Sequence, residues 1–183
     1  MGVSPAERVA DLLGQRAVGI FDRAIMHVPI ETAREARAVA QQLGADCAVA
    51  IGGGSTTGLG KAIALDSGLP IVAIPTTYAG SEMTTIYGIT EAGMKKTGRD
   101  ARVLPRTVIY DPELTLTQPP RVAAVTGIDA LSHAVESYVT RKRSPMSLLY
   151  SREAWRLLAS SFERVLSHPD DLTARSAMQL GAA

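Results

Sequence analysis

Apolar and polar positions fall into two textures along this chain. In the first, short apolar runs alternate with stretches of helical period. "CAVAIGGGS" (47–55), "PIVAIPTT" (70–77) and "RTVIYDP" (106–112) are brief and apolar on both sides. That pattern predicts strands buried on both faces of a parallel sheet. "RAVGIFD" (16–22) is also apolar and β-branched enough to predict a strand. Between these runs the spacing predicts helices over 5–13, 29–46 and 57–66. Pro29 stands near the start of the second and Gly44 at its end, where each residue type is favoured. After "DPELTLTQPP" the texture changes. Residues 121–140, 145–166 and 170–183 carry helical periodicity, and nothing beyond Arg121 reads as a strand.

Strands alternating with helices over short connections mean an α/β fold. The expected organisation is an α/β domain over residues 1–117, followed by the start of an all-helical domain over 118–183.

Composition narrows the function. Lys and Arg total 19 and Asp and Glu 18, a formal charge of +1. A near-neutral balance argues against a nucleic-acid partner, which needs a basic surface. The single cysteine, Cys47, excludes an internal disulfide, so the chain reads as an intracellular, cytoplasmic protein. No apolar run approaches the roughly 20 residues of a membrane span. "MGVSPAERVADLLG" has no signal-peptide core, and Ala6 breaks the myristoylation pattern.

Candidate chemistry gathers in two loops. "IGGGSTTGLGK" leaves a predicted strand and opens a predicted helix. Glycines there let backbone approach a phosphate, and the N–H groups and hydroxyls of Ser55, Thr56 and Thr57 suit an anion. The loop is neither a Rossmann fingerprint nor a Walker A loop. Five residues separate Gly54 from Gly60, and Ala62 follows Lys61. The plainer reading is a structural glycine turn. "IPTTYAGSEMT" (74–84) is a second such loop after a second apolar strand. Loops at the carboxyl ends of parallel strands form the ligand crevice of open α/β sheets. Two together favour a nucleotide diphosphate. "KKTGRDAR" (95–102) reads as a solvated basic loop that could also reach a phosphate or a dicarboxylate.

"GIDALSH" places Asp129 and His133 at i and i+4, on one side of a helix, with Glu136 beyond. Such a pair can share a metal ion. The plainer alternative is an Asp–His hydrogen bond on a half-buried helix. His27 and His168 are not obvious co-ligands.

In order, "GGGSTTGLGKA", "IPTTYAGSEMT", "YDPELT" and "GIDALSHAVESY" resemble the iron-containing (group III) alcohol dehydrogenases. The first half is most similar to their maleylacetate reductase branch. The resemblance spans roughly residues 5–183. It implies an NAD(P)-dependent oxidoreductase with its cofactor in a cleft between an α/β and a helical domain. Gly53, Gly54 and Ser55 would hold the pyrophosphate. Thr76, Thr77 and Ser81 would line the adenine–ribose and nicotinamide side, and Lys95 and Leu114 would contact ribose and adenine. Asp129 and His133 match the first two ligands of the family's iron or zinc, whose other ligands are histidines on later helices.

Two departures pull apart. Many alcohol dehydrogenases of the family carry an acid where this chain has Gly58, which the reductase branch lacks too. That branch often has Asn where this chain has Asp129. The implied reaction is reduction of maleylacetate to 3-oxoadipate, in the breakdown of aromatic compounds. In a metal-free reductase His133 would be the catalytic hydrogen-bond donor, oriented by Asp129. The alternatives are an iron- or zinc-dependent alcohol dehydrogenase and an inactive nucleotide-binding fragment. Family members run to about twice this length, so the expectation is an internal fragment. Its first strand would lie upstream of Met1 and two ligand histidines beyond Ala183. The complete protein is expected to be a homodimer acting on a small molecule, with no membrane partner.

Overall fold

A computed structural model describes residues 3–183. The chain packs into two compact units, Met1–Ile74 with Ser81–Ile109, and Pro75–Gly80 with Tyr110–Ala183.

The first unit holds α1 (Pro5–Leu13), α2 (Ile30–Gln42), β1 (Ala48–Gly52), α3 (Gly54–Ser67), β2 (Ile71–Pro75), β3 (Ile86–Glu91), β4 (Met94–Arg99) and β5 (Thr107–Val108). The sheet order is β1-β2-β5. β2 and β5 run parallel, Val72 opposite Thr107 and Ala73 opposite Val108. Ser4 and Glu7 form a capping box that starts α1, with Pro5 at its first position. In α2 the buried residues are Thr32, Ala33 and Ala36, one face at helical spacing. That face meets Val28, Leu59 and Ala62, with Phe21, Ala24, Ile63 and Ile89 around them. The core is built from small aliphatic side chains, as 4% aromatics requires.

Several expectations are corrected here. "RAVGIFD" forms no strand. Gly14–Arg16 is a single 3-10 turn and the chain then runs irregularly, with Val18 and Ile20 exposed. Backbone polar groups become a strand only when a neighbouring edge takes their hydrogen bonds. Among the described residues no strand pairs with 17–22. "KKTGRDAR" is not a loop throughout. Met94–Arg99 is β4, paired antiparallel with β3 from Ile86 opposite Arg99 to Glu91 opposite Met94. β1 is not buried on both faces. It stands at the end of the three-strand order, and Val49 is 39% exposed. The strand expected over 106–112 shortens to Thr107–Val108, since Asp111 caps a 3-10 turn at Pro112–Thr115.

The second unit holds α4 (Pro120–Val139), α5 (Pro145–Ser167) and α6 (Leu172–Ala182). On α4 the buried residues Ala123, Gly127, Ala130 and Ala134 repeat every three or four positions. Small residues there let α4 pack closely on Leu158, Val165 and Met178 of the other two helices. Tyr78 completes that core and is fully buried. No helix among the described residues is long and apolar enough to cross a membrane.

Candidate functional site

The end of β1 and the start of α3 form the turn that the glycine run predicts. Gly52 has φ 150°, and a Cβ there would stand 2.4 Å from Thr56 Oγ1. Only glycine meets both demands. Sequence reasoning missed Gly52; its signal was its place as the first glycine after an apolar strand. Gly53 is the N-cap of α3, extended, with no side chain capping the helix. Its carbonyl accepts from the N–H groups of Thr56 and Thr57. A helix capped by glycine keeps its first-turn N–H groups unclaimed by side chains. The 14-residue α3 points its positive dipole end at the same place. Gly54 and Ser55, the first two residues of the helix, could therefore hold an anion through their backbone N–H groups.

Lys61 does not serve that turn as a Walker lysine would. Its side chain is wholly buried, and Nζ donates to the carbonyl oxygens of Ser81, Thr84 and Ile86 at 2.6, 2.8 and 2.7 Å. Thr84 Oγ1 lies 3.0 Å away. Burial pushes the ammonium down to about 8, and the buried Glu82 carboxylate pulls the other way. Ser81 opens the 3-10 turn Ser81–Met83, so one side chain ties this predicted cofactor residue to α3. Lys95 lies on β4 opposite Thr90 and is exposed. Of the neighbouring cations, Lys96 is paired with Glu91 and Arg102 with Asp100. Lys95 and Arg99 make no such pair among the described residues, and they project from the same face of β4.

Gly58 stands in the second turn of α3. A Cβ there would meet Val28 Cγ2 at 2.9 Å. Val28 is buried and held at φ 48°, a strained setting for a β-branched residue. The space a side chain at Gly58 would need is filled here by valine.

In the second unit Thr76 and Thr77 follow β2 and are partly exposed. Their loop is pinned at both sides. Gln179 Nε2 donates to Pro75 O at 3.3 Å, and the Tyr78 N–H donates to Thr126 Oγ1 at 3.4 Å. The buried Arg175 donates to Thr115 O at 2.6 Å, Pro169 O at 2.5 Å and the Tyr78 hydroxyl at 3.4 Å. Sequence reasoning missed Tyr78, Arg175 and Gln179, because their partners lie up to 104 residues away. Leu114 lies in the 3-10 turn Pro112–Thr115, next to Thr115.

Asp129 and His133 lie one turn apart on α4, with Asp129 Oδ1 3.8 Å from His133 Nε2. Glu136 Oε2 lies 3.7 Å from His133 Nδ1. Both separations exceed a hydrogen bond. The two side chains are 58% and 66% exposed, so the helix face is open, not half-buried. A hard carboxylate and an imidazole, side by side and unfixed by hydrogen bonds, fit iron or zinc as two of its donors. Among the described residues no cluster of three or more His, Cys, Asp or Glu side chains stands ready to hold a metal. By itself the pair could supply only part of a ligand set.

The profile of the iron-containing alcohol dehydrogenases matches residues 3–112, and that of the family's C-terminal region matches residues 123–183. The chain is 63% identical over 177 residues to a maleylacetate reductase of Burkholderia cepacia, covering 97% of this chain and 50% of that one. It is similar to the crystal structure of maleylacetate reductase from Agrobacterium tumefaciens, with TM-score 0.93, 44% identity and coverage of 96% and 50%. It is also similar to sulfoacetaldehyde reductase from Bifidobacterium kashiwanohense in complex with NAD+, with TM-score 0.90, 26% identity and coverage of 97% and 54%. The chain spans about half the length of the curated relatives it matches. With both profiles matched in order and a reductase fold reproduced at this level, the chain belongs to the iron-containing alcohol dehydrogenase family.

Proposed function

We propose that the complete protein reduces maleylacetate to 3-oxoadipate with NADH or NADPH. The observation that carries this is the uncapped α3 turn, Gly52–Ser55, in a chain 63% identical to a maleylacetate reductase. The NAD+ complex of the sulfoacetaldehyde reductase supports the cofactor. When bound, the nicotinamide supplies a hydride to the conjugated C=C of the substrate, and the ketone oxygen takes the electron pair as an enolate. The backbone N–H groups of Gly54 and Ser55 hold the pyrophosphate, with Gly53 allowing close approach. Thr76, Thr77, Ser81, Lys95 and Leu114 line the rest of the cofactor. The cations Lys95 and Arg99 suit phosphate or the substrate carboxylates. His133 donates a hydrogen bond to the developing enolate, and Asp129 orients it. Protonation of the enolate carbon then gives the saturated keto acid.

A second reading is favoured by one observation, the carboxylate at Asp129 beside His133. In that reading the protein is an iron- or zinc-dependent alcohol dehydrogenase. When bound, the metal would polarise the alcohol or carbonyl oxygen of its substrate. Asp129 and His133 would supply two of its donors. The near-neutral charge and single cysteine support a cytoplasmic enzyme, and the family resemblance supports a homodimer.

The test has two arms. The complete protein is expected to oxidise NADH or NADPH with maleylacetate, and to do so far faster than with simple aldehydes. Gly53→Val adds a branched side chain where the pyrophosphate approaches. It is expected to weaken cofactor binding at least tenfold by fluorescence titration, about 1.4 kcal/mol. Unchanged affinity removes this turn from the site.

A further inference from the structure

Lys61 holds more than a helix in place. Its ammonium has three protons and no acceptor. Four oxygens from Ser81, Thr84 and Ile86 surround it within 3.0 Å, so nothing remains for a ligand. The residue is 0% exposed. A buried ammonium costs desolvation that a methionine of similar volume would avoid. What the ammonium adds is fixed geometry. Three consecutive anchor points, at residues 81, 84 and 86, are tied to one atom of α3. The segment they anchor has no strand pairing until Ile86. Thr84 joins the same network, its hydroxyl donating to Ser81 O at 3.1 Å and accepting from the Ile86 N–H at 3.4 Å. At its N-terminus α3 carries the anion turn, so the two ends of this tether are Gly53–Ser55 and Ser81.

We propose that Lys61 is a positioning residue for cofactor binding, fixing the Ser81–Ile86 segment against the helix that carries the phosphate turn. This rests on the reading that Gly53–Ser55 and Ser81 hold the cofactor. Lys61 itself touches neither phosphate nor substrate. It sets the distance between two groups that do.

The experiment uses the complete protein, with Lys61→Met and Gly53→Val prepared together. NADH Kd, cofactor KM, kcat and the fraction of folded enzyme are measured for each. A role in stability alone lowers the folded fraction, which scales kcat and leaves KM and Kd unchanged. Positioning raises KM and Kd and changes kcat little. The expected result for Lys61→Met is a rise of about tenfold in NADH Kd and KM, with kcat per folded enzyme within about threefold of wild type. If Gly53→Val weakens NADH and Lys61→Met leaves KM at the wild-type value, the proposal is overturned and the cofactor reading stands. If neither variant moves NADH affinity, the cofactor reading fails and takes the proposal with it. Should Lys61→Met not fold, Thr84→Val removes one of the four acceptors and the hydroxyl bond to Ser81. It is expected to raise cofactor KM about threefold at constant kcat. An unchanged KM in that folded variant overturns the proposal.

Discussion

At the scale of single residues, Gly58 shows why a position that looks like a loss of chemistry can be a gain in packing. Val28 Cγ2 lies 2.9 Å from where a Cβ would stand, and Val28 cannot swing aside easily. Its N–H donates to Ile25 O, its carbonyl accepts from the Thr90 N–H, and it is 4% exposed at φ 48°. Gly58→Asp is therefore expected to cost about 1–3 kcal/mol through overpacking. Urea unfolding of wild type and variant measures it, and equal midpoints would show that Val28 yields. The sequence made the strand-to-helix turn at Gly53, Gly54 and Ser55 legible, because a glycine run after an apolar strand marks a break between elements. It hid Gly52 inside the same run, where only the backbone angle separates it from its neighbours. It hid Lys61 more thoroughly. A lysine after a glycine turn reads as a phosphate ligand or a surface residue, and its burial against three carbonyls depends on a segment 20 or more residues away.

At the scale of elements, the periodic helices were legible and the hairpin was not. Helical period survives in α4, α5 and α6 because each buries one stripe against its neighbours. The β3–β4 hairpin turns on Ala92 and Gly93, with φ 49° and 76°. Two positive φ angles in a two-residue loop make a turn of the I′ kind, whose usual sequence mark is Asn-Gly or Asp-Gly. Alanine there gives no such mark, and the lysines of β4 resemble a solvated loop. "RAVGIFD" fails in the opposite direction, since β propensity reports a side-chain preference and not a partner. Helix starts carry clearer chemistry. Ser144 caps α5, its hydroxyl accepting from the Ser147 N–H at 3.1 Å. The Ser147 hydroxyl returns the bond from the Ser144 N–H at 2.8 Å. Ser144→Ala removes the hydroxyl half of this box, leaving the Ser147 N–H without its cap, and is expected to destabilise the protein by about 1 kcal/mol. Chemical denaturation followed by helical circular dichroism reads that cost. No change would mean that packing of Leu158 and Val165 alone fixes where α5 begins.

At the scale of the whole molecule, the change of texture near residue 118 is visible in the periodicity, because strands and helices repeat differently. The packing of Pro75–Gly80 with the helical unit is not visible, because it depends on Thr126, Arg175 and Gln179 meeting residues 48 to 104 positions away. The same distance problem governs the metal. Asp129 and His133 are legible as a pair from their spacing, yet a divalent ion needs three or four protein donors. The pair stands on an open face, its donors 3.8 Å apart and unclaimed by hydrogen bonds, which suits capture of an ion with further ligands. On the metal-dependent reading the complete protein is expected to carry stoichiometric iron or zinc. Asp129→Asn replaces the anionic carboxylate with a neutral, weaker amide donor, so metal should be lost on dialysis along with activity. Elemental analysis of wild type and variant, beside rates on maleylacetate, decides between two chemistries. If the wild type holds no metal and Asp129→Asn keeps its rate, the ligand assignment falls. His133 then acts as a hydrogen-bond donor to the enolate, and Asp129 is dispensable to it. If metal and rate disappear together, α4 contributes two ligands to a site that the rest of the protein completes. The alcohol dehydrogenase reading then gains the support that the first unit, with its reductase-like Gly58, does not give it.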